Sequence, residues 1–156
     1  MIKQNDNRCM PVIRKIGCFV RSCGALAELV TGRELTAHQI NQLWVWAKKN
    51  GHVNGHDDVV ESAPIATHAL EMLGDNGRFV EIATKNSKGV ANYYSWVTDG
   101  MRNRKQFFIQ KIRTHGVFKT HFRVVDSDGN LIFDPYEPEV RVVGVFHTVV
   151  YIYLGE

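Results

Sequence analysis

Cysteine is scarce in this chain and oddly placed. The three, Cys9, Cys18 and Cys23, all fall in the first 23 residues. An odd number without an export signal argues against a disulfide framework. No Cys-x-x-Cys pair occurs, so the usual structural zinc spacing is missing. No apolar run approaches the roughly 20 residues that span a bilayer. The stretch from Met1 to Arg8 is polar and has no apolar signal core, from which we expect a cytoplasmic protein unless another system delivers it. Excess charge of one sign is small. The formal net charge is +3, with no compact Lys/Arg cluster, and this argues against a nucleic-acid partner. The nearest approach to a basic stripe is Arg102, Arg104, Lys105, Lys111 and Arg113, which reads as a solvated strand and turn.

What is present fits one globular domain over residues 1–156, with 44% hydrophobic and 22% charged residues. The two halves differ in period. Residues 18–74 read as helices and 77–154 as strands, which predicts an α+β domain.

The first helix is expected from Cys18 to Thr31, with Phe19, Cys23, Leu26, Ala27 and Val30 as its apolar stripe and Gly32 as its stop. A second begins at Thr36, where Thr36 and Gln39 can form a capping box; Ile40, Leu43, Trp44 and Ala47 are its buried face. A third begins near Ser62, with Pro64 tolerated in its first turn. The strand half is expected to run through Arg78–Thr84, a polar connection from Lys85 to Asn92, then Gln106–Arg113, Lys119–Val125 and Leu131–Phe133. Asp128-Gly129-Asn130 is the turn before the last of these. Val140–Phe146 and Val149–Leu154 read as two final strands.

Cys18 stands where the first helix begins, after Gly17. A thiol is a nucleophile only when ionised, and a helix N-terminus favours the thiolate through its free N–H groups and dipole. Gly17 permits a sharp turn and leaves room for a substrate backbone. The alternative is that Cys18 is a small buried hydrophobe. Cys23 lies on the core stripe and reads as packing, as does Cys9.

His121 opens the apolar strand that ends at Val125, and Asp134 follows the strand Leu131–Phe133. The intervening turn folds the two strands antiparallel and can return Asp134 beside His121. There a carboxylate would fix the imidazole tautomer and stabilise its charged form. The competing reading is a surface hairpin, with a solvated His121 and with Asp134 capping the Pro135 turn. His52, His56, Asp57 and Asp58 cluster after the second helix, where Gly55 disfavours a helical zinc face; they read as a polar loop. Tyr93, Tyr94 and Trp96 would line a cleft or pack on the sheet, and packing is favoured.

The residues His121-Phe122-Arg123-Val124-Val125, Asp128-Gly129 and Asp134-Pro135 resemble a segment of the bacteriocin-processing peptidases and their papain-like relatives. Gly17-Cys18-Phe19-Val20-Arg21-Ser22 through Gly32 is similar to their nucleophile helix, and Leu35-Thr36 to the entry of their second helix. The resemblance implies a papain-like fold, N-terminal helices packed on an antiparallel sheet, and hydrolysis of a peptide or amide bond with neither cofactor nor metal. It implies Cys18 as nucleophile, His121 as general base and Asp134 as the residue orienting it. The substrate would be a peptide or amide, including one within a protein.

One departure stands out. The family's glutamine before the nucleophile, which helps bind the oxyanion, is missing from Met10–Ile16, and Gln4 is the only glutamine upstream. Gly17 and Arg14 are the candidates for the oxyanion or substrate contact. A weakly active or inactive binding module on the same fold, such as an inhibitor or adaptor in a phage or host-interaction setting, is the second reading.

Overall fold

The computed structural model describes residues 1–115 and 119–155. It is a mixed structure in which helices pack on an antiparallel sheet. The helices are α1 (Pro11–Ile16), α2 (Cys18–Thr31), α3 (Ala37–Lys49), α4 (Ala63–Met72) and α5 (Asp99–Arg102). The strands are β1 (Arg78–Lys85), β2 (Ala91–Tyr93), β3 (Gln106–Thr114), β4 (Thr120–Val125), β5 (Leu131–Phe133) and β6 (Val142–Leu154). They form one sheet in the order β2-β1-β6-β3-β4-β5. No helix among the described residues is long and apolar enough to cross a membrane.

The helix signals act as their chemistry dictates. At α3 both halves of the capping box form: Thr36 Oγ1 accepts from the Gln39 N–H, and Gln39 Oε1 accepts from the Thr36 N–H. Helix α2 ends at Gly32, whose φ of +67° suits glycine.

Four elements differ from the sequence expectation; one is α5, a short helix in the half expected to hold strands. Helix α1 was not anticipated, because six residues are too few to establish a 3.6-residue period; Pro11 starts it with a preset φ and no N–H to satisfy. Strand β2 occupies the end of the expected polar connection. The two final strands are one, β6. Its polar middle, His147 and Thr148, stays in register with β3, and β-bulges absorb the mismatch.

Ten of the 14 residues of α2 are buried. A helix buried on nearly all sides must be a central element, and α2 packs against α3, α4 and β4. It also carries a charge into the core: Arg21 and Glu28 pair at 2.5 Å with neither side chain exposed. Arg21 Nε donates to Ile2 O at 2.6 Å, and Glu28 Oε2 accepts from the Leu35 N–H at 3.1 Å. The helix-facing side of the sheet contributes Phe79, Phe107, Ile109, Val124, Val149 and Tyr151 to the main core. A second apolar cluster contains Ile82, Phe108, Val125, Val150 and Ile152, with Tyr93, Tyr94 and Met101 packed against it. The aromatic run therefore packs on the sheet. Trp96 stacks on Tyr94 and stays more than half exposed.

Candidate functional site

Helices α1 and α2 meet at a single residue, Gly17, and Cys18 is the first residue of α2. A side chain on Gly17 would begin 2.6 Å from Ile13 O and 2.7 Å from Ile13 Cγ2, so the junction closes only on glycine. The Gly17 N–H donates to Ile13 O at 2.8 Å. The amide of Gly17 is therefore engaged inside the junction. The first turn of α2 still presents free N–H groups beside the Cys18 thiol, because a helix cannot satisfy them internally.

Cys18 is 8% exposed and lies in a cleft of about 480 Å³. Lys15, Ile16 and Phe19 form one side, His56, Asp57, Asp58 and Val59 a second, and Lys111, Thr120 and Phe122 a third. Phe19 and Phe122 stack with ring centres 4.1 Å apart. The His56–Asp58 loop thus stands beside Cys18. It is held by Asn54 Oδ1, which accepts from the N–H groups of His56 and Asp58, and by an ion pair between Lys48 and Asp57. His52 turns elsewhere, to Glu61 and Trp46. Among the described residues no group of three His, Cys, Asp or Glu side chains is arranged to hold a metal.

Arg14 is not among the described residues lining this cleft. Its carbonyl and that of Ile13 accept from Gln4 Nε2, at 3.5 and 3.2 Å. Gln4 is fully buried between α1 and the loop after Asp134, where its own N–H donates to Pro135 O at 2.6 Å.

His121, the second residue of β4, is closed off from solvent, and its Nε2 is 2.7 Å from Asp134 Oδ1. The same Oδ1 accepts from the Tyr136 N–H at 2.9 Å, and Oδ2 accepts from the Val140 N–H at 2.8 Å. Burial by itself works to raise the Asp134 pKa. The bonds from His121, Tyr136 and Val140 outweigh it and hold the carboxyl below its ordinary value.

The imidazole shows the complementary balance. Burial works against its charge, but hydrogen bonds with Asp134 and with Cys18, and the charge of both partners, raise it from 6.5 to about 9. The ring, held on the Asp134 carboxylate, keeps its proton through neutral pH. Cys23 lies apart from this group, completely buried on α2, and burial pushes its thiol far up.

The N-terminal residues fix the Asp134 loop, and nothing in the sequence pattern marked them. Lys3 Nζ donates to Asp134 O at 2.6 Å, and Asn5 exchanges hydrogen bonds with the backbone of Glu137 in both directions. The Phe19–Phe122 stack was equally hidden, although both residues flank predicted site positions. Comparison of the chain with protein-family models, curated proteins and solved structures finds no match.

Proposed function

We propose that this chain is a cysteine hydrolase of papain-like fold that cleaves a peptide or amide bond through a Cys18–His121–Asp134 triad. One observation carries the reading: a buried imidazole bonded to a buried carboxylate and interacting with the cysteine at the mouth of α2. A charged imidazole beside a thiol favours the thiolate, the nucleophilic form. The order of the chain also supports it, with the helix-start cysteine first, then the strand histidine, then the carboxylate.

The chemistry follows from these groups. Cys18 Sγ attacks the carbonyl carbon, and the carbonyl π electrons move to oxygen. The oxyanion meets the free N–H groups of the first turn of α2. As the tetrahedral centre collapses, the C–N bond breaks and the imidazolium gives its proton to the departing nitrogen. A thioester remains. His121, now neutral, takes a proton from water, the hydroxide adds to the thioester carbon, and collapse releases the acid and the Cys18 thiolate. Asp134 holds the ring in place and stabilises its charged form throughout.

A second reading, a binding module on the same fold, has its own support. The Gly17 amide is engaged with Ile13, and Arg14 does not line the cleft. Losing one oxyanion donor typically costs about a hundredfold or more in rate.

The test combines iodoacetamide labelling at neutral pH with turnover of a mixed peptide-amide substrate pool. The hydrolase reading expects selective labelling of Cys18, slowed in H121A, and turnover abolished in C18A. Selective labelling without turnover by the wild type favours the binding module. Failure of Cys18 to label ahead of the other cysteines ends the hydrolase reading.

A further inference from the structure

A second cavity, of about 320 Å³, lies between the β1–β2 turn at residues 85–89 and the β4–β5 turn at residues 126–129. The two turns come from strands that are not neighbours in the sheet. They meet where Lys85 Nζ donates to Ser127 O at 3.2 Å. Gln110 of β3, Arg123 of β4 and Thr148 of β6 form the polar part of the wall between them.

Gln110 and Thr148 are 6% and 5% exposed. Gln110 Oε1 accepts from Nε and Nη2 of Arg123, at 3.1 and 3.0 Å. That pair of bonds fixes which end of the amide is oxygen. Gln110 Nε2 is therefore turned toward the Gly129 side, 3.7 Å from where a side chain on Gly129 would begin. Among the described residues no acceptor meets Gln110 Nε2, and no side-chain partner meets Thr148. Neither atom is among the buried polar atoms that lack a partner, so both reach the open cavity and are free to donate to whatever occupies it.

Charge narrows the ligand. Lys85, Lys88 and Arg123 bring three cations to the cavity. Arg123 is half-buried and has no carboxylate within ion-pair distance among the described residues. Two carboxylates also line the cavity. Asp126, however, is turned into its own loop: Oδ1 accepts from the N–H groups of Asp128 and Asn130, and Oδ2 accepts from Asn130 Nδ2. Asp128 is exposed. The unused groups inside are donors: an amide NH₂, a hydroxyl, a guanidinium edge and ammonium protons. Charge-assisted bonds of this kind favour an acceptor-rich anion.

We propose that this cavity is a binding site for a small oxyanion, a phosphate or carboxylate group, held by Arg123, Gln110, Thr148 and the two lysines. The proposal does not depend on the hydrolase reading, because it shares no residue with the Cys18 cleft.

The test is amide NMR on the full ¹⁵N-labelled chain, titrated separately with inorganic phosphate, succinate and glucose, with chloride as the control at matched ionic strength. Saturable shifts of the Gln110 side-chain NH₂ and of the Lys88 and Gly129 N–H groups are expected with phosphate or succinate. The ion giving the tighter saturation identifies the source. R123Q should weaken that binding about tenfold or more. K88Q, on an exposed turn where folding is not at stake, should weaken it measurably and keeps the test open if R123Q fails to fold. The proposal is overturned if chloride or glucose reproduces the shifts. It is equally overturned if neither oxyanion gives saturable shifts at these residues, or if binding survives K88Q and a folded R123Q unchanged.

Discussion

His121 Nε2 and Asp134 Oδ1 stand 2.7 Å apart, with both side chains completely closed off from solvent. The carboxylate carries more than this one bond, because it also accepts the backbone N–H groups of Tyr136 and Val140. It therefore orients the histidine and folds its own loop.

Replacing Asp134 separates these roles. D134A removes the acceptor of two part-buried N–H bonds and the counter-charge of the imidazolium. The expected loss of stability is about 3–5 kcal/mol, read by urea denaturation. D134N keeps the volume and one oxygen but removes the charge. Its His121 ring should titrate well below the wild-type midpoint of about 9, as followed by ring-proton NMR. An unchanged midpoint would show that Asp134 does not set the charge of the ring.

Stability should depend on pH in a defined direction. The folded pKa of His121, about 9, lies above the unfolded value of 6.5. Between these values the folded chain holds more protons, so stability falls as pH rises. The contribution, on the order of 3 kcal/mol, is fully present below 6.5 and lost above about 9. Asp134 is shifted the other way, so its contribution is present above the unfolded carboxyl pKa and fades as pH drops through its lowered folded value. Chemical denaturation of wild type and of H121Q across pH 6–10 checks the first limb, which should flatten in the variant.

The cysteines should differ sharply in the folded state. Cys23 is fully buried and its thiol is held protonated by burial, so alkylation should wait for unfolding. Cys18 faces the cleft. Mass spectrometry after brief iodoacetamide treatment should find Cys18 modified first, and the reverse order would overturn the assignment of the nucleophile.

At the helix junction, G17A would place a methyl group 2.6 Å from a backbone carbonyl that cannot move away freely. We expect a loss of about 1–3 kcal/mol, accompanied by slower labelling of Cys18 as the start of α2 shifts. A variant with wild-type melting and labelling would show that the junction relaxes without cost.

The buried Arg21–Glu28 pair offers a further check on the core. E28A strands a guanidinium that has no route to water and should cost about 3–5 kcal/mol, whereas the double variant R21M/E28L should recover much of it. Thermal melts of the two variants measure the difference.

Local signals in the sequence were enough to set several parts of this protein. The apolar stripe and Gly32 bounded α2, and the Thr36/Gln39 box began α3. The Asp128-Gly129-Asn130 turn, with Gly129 at a φ of +84°, returned β5 along β4. These features rest on contacts a few residues apart, which composition and period report directly. The juxtaposition of His121 and Asp134 belongs with them, because a single hairpin joins the two.

Other features needed the folded chain. Helix α1 is too short to show a period. The polar middle of β6 looked like a break between strands because its ladder partners lie far away in the sequence. That Gly17 closes a helix junction follows only from its distance to Ile13. The pinning of the Asp134 loop by Lys3, Gln4 and Asn5 joins residues more than 130 positions apart, and no local propensity encodes such a pairing. The cavity between the β1–β2 and β4–β5 turns exists because Lys85 reaches Ser127 across strands that are not neighbours. Local sequence set the bounds of α2, the start of α3 and the hairpin that carries His121 and Asp134. Tertiary packing alone decided that this pair is closed off from solvent, because long-range burial chooses which faces of those elements come together.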